Sequence, residues 1–293
     1  MAAPLFYLSP LPVVIAGIAF SPLAAFLAVM VAGAGLALTF GGAALFPYIL
    51  GLGGPAFGLS YAAMLARPDP AARDGLVWFP VGGLVLIAAA FSTLAVAVTL
   101  FTLGGGYDAY RAATVALVEA VFSSQGLPQG SLGREYDPSV LGVLFAHALP
   151  GLAATTIMVA QLGCLYLAAR AALISGRLKR PWPSIATFRL PAATSLVLAV
   201  AIGLSMAGSI LGLSASAAAA TLVCAYALAG FAVVHAVTAG HSARFLVLAA
   251  LWLTALVLGW PVLAMAVLGF VDGMFDFRSR LAAGNGPPAA NDR

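Results

Sequence analysis

His147, His235, Asp272, Asp276 and Arg278 are the side chains whose type and placement could carry ionic chemistry, because each stands inside or at the border of a long apolar run. A charge near the centre of a bilayer costs several kcal/mol, so groups placed this way mark ligand contacts, proton relays or paired structural charges. Asp272 and Asp276 are four apart, a spacing that puts two carboxylates on one helix face. They repel each other unless cations meet them, and Arg278 and Arg280 follow closely. Two accounts stand side by side. One is a structural clamp, closed by those arginines or by basic residues of 170–189; the other is a proton-coupling or gating cluster. Each histidine is likewise either a packed or interfacial ring, or a ligand or relay group. His235 and His241 are not spaced i, i+4, so no metal site is expected.

No reaction can be written from these residues. The chain has no His-Glu-x-x-His, no Gly-x-Ser-x-Gly elbow and no P-loop sequence. The expectation is a protein that is not an enzyme and that uses no cofactor. Cys164 and Cys224 lie alone in apolar runs and read as small buried hydrophobes.

The elements that must position these groups follow from the charge pattern. No formally charged side chain occurs before Arg67, and the same silence recurs over 75–107, 138–169, 190–243 and 245–271. The composition is 63% hydrophobic and 8% charged, against about 25% charged in soluble domains. About 20 apolar residues suffice to cross a hydrocarbon core. Unpaired backbone is intolerable there, and the runs do not alternate as barrel strands do, so the spans should be helices. The expected fold class is all-α, a polytopic transmembrane bundle of about eight spans, near 10–38, 42–66, 76–103, 140–170, 192–212, 216–239, 245–259 and 260–277. Ser21-Pro22 could divide the first, and Gly259-Trp260-Pro261 should turn the chain between the last two. The opening run has no basic leader or processing site, so its span should stay in the mature protein.

Cations set the expected orientation. Arg170, Arg177, Lys179, Arg180 and Arg189 form the densest basic segment, with no acid among them, and belong in the cytoplasm. Counting spans then places both termini in the cytoplasm and the acidic segment 104–139 outside. The net charge of +4 sits at the ends of apolar runs rather than on a soluble basic module, which argues against nucleic acid. Within 104–139, residues 107–122 put Tyr110, Val115, Leu117, Val118 and Val121 mostly on one side of a helix lying along the membrane surface. Residues 123–138 read as a mobile loop and 281–293 as a disordered tail, leaving 1–280 as a single transmembrane domain.

Small residues let helices approach in lipid. Gly54 with Gly58, Gly208 with Gly212, and Ala24, Ala28 and Ala32 have the spacing for internal packing or for a face that meets a partner.

Three segments taken together resemble the YybS-like domain-of-unknown-function family of bacterial multi-pass inner-membrane proteins. They are Pro181-Trp182-Pro183 with Phe188-Arg189-Leu190-Pro191, then Gly230-Phe231-Ala232-Val233-Val234-His235, then Leu268-Gly269-Phe270-Val271-Asp272 running into Phe275-Asp276-Phe277-Arg278-Ser279-Arg280. Ser9-Pro10-Leu11-Pro12 is similar to the family's opening. The resemblance implies residence in the bacterial inner membrane and a helical architecture similar to the substrate-binding subunits of energy-coupling factor transporters. Such subunits hold a small molecule between helices and meet a scaffold subunit through small residues of an early helix, a role Ala24, Ala28 and Ala32 would fill. The expected function is a transporter-like subunit that binds a small molecule, and the alternative is a non-transporting scaffold or assembly factor. Its expected partners are the lipid bilayer and a small-molecule ligand or another membrane protein.

Overall fold

A computed structural model describes residues 2–72, 75–124, 138–276 and 278. Pro10 and Pro12 open the first long apolar stretch after a short α1 (Ala2–Leu8), and α2 (Leu11–Ala19) runs only to Phe20. The chain breaks there because Ser21 is fully extended (φ −165°, ψ 160°) and its hydroxyl accepts the Ala24 N–H at 3.1 Å, while Pro22 takes the first helical position. The result is α3 (Pro22–Phe40), which ends at Gly41 with φ 86°. The next expected span is composite: α4 (Leu45–Tyr48), a π-helical turn Ile49–Gly53, and α5 (Gly54–Ala63). The wide turn comes just before Pro55, which has no N–H to continue a regular ladder.

Residues expected to begin the third span instead form a ribbon. β1 (Ala66–Pro68) pairs antiparallel with β2 (Leu76–Trp78), and α6 (Val81–Thr102) starts only after Pro80. Then come α7 (Gly106–Ser124), α8 (Pro138–Ile174), α9 (Ala193–Ser205), α10 (Ile210–Val237), α11 (Arg244–Leu258) and α12 (Pro261–Phe275). Gly259, at φ 71°, and Pro261 in the first turn of α12 divide the last two helices.

Among the described residues, five helical stretches are long and apolar enough to cross a membrane: Pro22–Phe40, Gly42–Ala63, Val81–Thr102, Val140–Ile174 and Ile210–Val237. The expected spans 192–212, 245–259 and 260–277 fold as helices of 13, 15 and 15 residues, or roughly 20 to 23 Å at 1.5 Å per residue. That is short of the roughly 30 Å of a hydrocarbon core. Most of the loop expected at 123–138, the tail expected at 281–293 and Arg280 lie outside the described residues.

Two compact units divide the chain. The first draws on Met1–Phe79, Leu84–Pro181 and Val197–Leu222, and the second on Pro80–Gly83, Trp182–Leu196 and Val223–Arg293. In the first unit, Val13, Val14 and Ile18 of α2 pack on Ala25 and Val29 of α3, Ala56 of α5, and the i, i+4 row Cys164, Ala168 and Ala172 of α8. A Cβ on Gly17 would collide with the fully buried Ser60 hydroxyl, so the approach of α2 to α5 depends on that glycine. In the second unit, Gly230 lies against the Met265 carbonyl and Gly269 against the Tyr226 carbonyl, so α10 and α12 cross with backbone touching backbone. Phe231 stacks on Trp252 of α11 at 4.4 Å.

The small-residue rows behave differently from one another. On α3 the packed face is Ala25, Val29 and Gly33. Ala24 and Ala28 are only half-buried and Ala32 is exposed, so that row flanks the packed face rather than forming it. Gly208 precedes α10 in a turn, which removes Gly208 with Gly212 as a helix-packing pair. Outward-facing apolar side chains are abundant: Leu38, Phe245 and Leu256 are 88, 79 and 85% exposed. In water such a surface would aggregate, whereas hydrocarbon removes the liability.

Candidate functional site

The charged cluster at the end of α12 is held by three pieces of chain within the second unit. After Phe275 the backbone turns left-handed at Asp276 (φ 49°, ψ 52°), and the Asp276 N–H donates to the Asp272 carbonyl at 2.8 Å. Aspartate tolerates this conformation better than most residues. The turn corrects the shared helix face expected for the two carboxylates: Asp272 stays on the helix and 4% exposed, while Asp276 swings off it.

Each carboxylate then meets its own arginine. Asp272 Oδ2 accepts from Arg278 Nε at 2.9 Å and lies 2.7 Å from Nη2, and Oδ1 accepts the Arg278 backbone N–H at 3.3 Å. Arg278 Nη1 donates to the Ala186 carbonyl at 2.9 Å. Asp276 pairs with Arg189 Nη1 at 2.5 Å, both side chains 48% exposed. Gly82 completes the arrangement, because a Cβ there would strike the Arg189 carbonyl. In the Asp272–Arg278 pair the opposite charges meet each other, and each carboxylate oxygen and guanidinium nitrogen has at least one partner. The geometry is that of a clamp fixing α12 to the segment Trp182–Leu196, with both side chains buried.

The histidines stand apart from one another in role. His147, exposed on α8 in the first unit, has Nδ1 at 3.0 Å from the Val143 carbonyl and Nε2 at 3.3 Å from Tyr107 Oη. That pattern suits an imidazole protonated at Nδ1 and accepting the phenol proton at Nε2. His235 occupies the last turn of α10, half-buried, in the second unit. Among the described residues no group of three His, Cys, Asp or Glu could hold a metal.

A second feature lies where α7 meets α8. Pro150 sits inside α8, and lacking an N–H it leaves the Ala146 carbonyl, four residues earlier, without its helical donor. Tyr110 Oη of α7 donates to that carbonyl at 3.1 Å, and Ala146 is 2% exposed. Thr114, buried, donates to the Tyr110 carbonyl at 3.0 Å. The phenol is protonated at neutral pH in any case, and burial pushes it further above its usual value. The packed side of α7 therefore centres on Tyr110 and Thr114, while Leu117 and Val121, expected on the membrane-facing side of this helix, are 60 and 48% exposed.

Beside this seam, α7 and α8 bound an open groove of about 620 Å³, lined by Asp108, Arg111, Val115 and Glu119 of α7 and by Val140 and Val143 of α8. Gly142 permits the close approach, since a Cβ on it would meet the Val115 backbone at 2.7 Å. The volume lies within the range of small-molecule sites, roughly 300–1,000 Å³. Asp108, Arg111 and Glu119 are exposed, and among the described residues none of them has an ion-pair partner. The groove therefore offers charges of both signs on an apolar floor. Comparison with protein-family models, curated proteins and solved structures finds no match to this chain.

Proposed function

We propose that the chain is a multi-pass protein of the bacterial inner membrane, with about eight membrane-embedded helices, both termini cytoplasmic, and a transporter-like role in which it holds a small molecule. The five long apolar stretches and the outward-facing apolar side chains support membrane residence. Under this reading α9, α11 and α12 are short spans, met by local thinning of the bilayer or by flanking polar residues. Membership of the YybS-like group remains part of the proposal and rests on the sequence segments alone.

One observation carries the ligand reading: the α7–α8 groove, with Arg111 between Asp108 and Glu119 on an apolar floor. It favours a ligand site apart from Asp272 and Arg278, which are buried and paired with each other. A small amphiphile or zwitterion fits such a lining. The test is a thermal-shift and native mass-spectrometry screen of the reconstituted protein against polar metabolites, repeated with Ala112→Trp, an exposed position that lines the groove. A ligand that stabilises the parent and not the variant is the expected result. No stabilising ligand, or equal stabilisation of both proteins, overturns the reading, and a reproducible crosslinked partner in its place would favour a scaffold.

A further inference from the structure

The cytoplasmic exit of α8 has a construction that setting the topology does not require. Gly176, at φ 67°, ends the helix, and the Arg177 and Leu178 N–H groups both return to the Ala172 carbonyl, at 2.8 and 3.1 Å. From there side chains alternate. Leu178 packs against the first unit's core, and Arg180 turns inward to donate to the Ala63 carbonyl at 3.0 Å. Arg177 and Lys179 face outward, exposed, with the Arg177 guanidinium 4.6 Å from the centre of the Phe20 ring. The Arg180 bond anchors this segment to the end of α5, three residues before β1, whose Arg67 is also exposed. Lys179 and Arg67 have no ion-pair partner among the described residues.

We propose that Arg67, Arg177 and Lys179 form a docking surface for the phosphodiester headgroup of an anionic phospholipid. Charge complementarity selects the occupant: Arg177 and Lys179 are carried on backbone fixed by a helix cap, a core leucine and an inward arginine, and Arg67 is carried on the short paired strand β1. Fixing two of the three beforehand lowers the ordering cost that a flexible basic loop would incur on binding. The position, just beyond the end of a helix long enough to cross a membrane, is where a headgroup would lie.

The experiment uses the full chain in nanodiscs of phosphatidylcholine with increasing phosphatidylglycerol, with retained lipid read by native mass spectrometry after transfer to detergent. Each of Arg177→Gln, Lys179→Gln and Arg67→Gln should lower phosphatidylglycerol retention about fivefold, the equivalent of about 1 kcal/mol per juxtamembrane cation. Arg244→Gln, the same charge change elsewhere on the expected cytoplasmic side, should leave it unchanged. If a variant does not fold, the parent protein in high salt decides, since screening at about 1 M should abolish the preference. Equal retention of the two lipids by the parent, or an equal loss with Arg244→Gln, overturns the proposal.

Discussion

Arg278→Gln is the perturbation that separates a buried clamp from a surface decoration. The change deletes the Nε and Nη2 contacts to Asp272 Oδ2 and the Nη1 donor to Ala186, and leaves Asp272 with one weak bond, the backbone N–H at 3.3 Å. Asp272 is 4% and Arg278 9% exposed, so water does not replace what is lost. Removing one partner of a buried pair costs about 3–5 kcal/mol, most of it the penalty of an uncompensated charge. Arg189→Gln breaks the neighbouring pair, but there both side chains are 48% exposed. Solvent screening limits that loss to about 0–1 kcal/mol. The two changes remove the same charge from the same cluster, so their difference of about 2 kcal/mol or more isolates burial. Reversible unfolding in mixed micelles of increasing dodecyl sulfate fraction, followed by tryptophan fluorescence, gives both values. The double change Asp272→Leu with Arg278→Met should cost less than the two single changes summed, because it leaves no orphan charge. A loss under about 1 kcal/mol for Arg278→Gln, or one equal to that of Arg189→Gln, would refute the clamp.

Further changes test the packing around the two candidate sites. Tyr110→Phe leaves the Ala146 carbonyl buried without a donor and should cost about 1–3 kcal/mol in the same unfolding assay; restoration by Pro150→Ala, which returns the helical N–H, would tie the loss to that carbonyl. Asp276→Asn should be nearly neutral, since asparagine accepts the left-handed turn and the Arg189 pair is exposed. Asp276→Val should cost about 1–2 kcal/mol through backbone strain. Gly230→Ala and Gly269→Ala each drive a methyl into backbone that cannot yield locally, and should cost about 1–3 kcal/mol or more.

What the sequence made legible, and what it hid, follows from the range of each interaction. Helix breaks set by local chemistry were readable: Ser21-Pro22 and Gly259-Trp260-Pro261 act through φ limits and a missing N–H, and the chain divides at both. The arginine partners of the two aspartates were among the pairings open to them, but their allocation was not readable. It depends on Asp276 turning left-handed, a consequence of helix termination rather than of i, i+4 spacing. The ribbon at Leu76–Trp78 escaped notice because an apolar run of that length reads equally as the start of a helix until its partner strand is known. A proline at 150 in an apolar run does not say which group satisfies Ala146; the answer lies 36 residues away, in Tyr110. Burial explains why that answer had to exist, since Ala146 is 2% exposed and its carbonyl has no ready access to water, so the proline commits some neighbouring side chain to replace the missing donor. The groove between α7 and α8 therefore rests on a seam that Tyr110 closes, so under the proposed ligand reading Tyr110 acts by holding the two helices together rather than by touching the ligand.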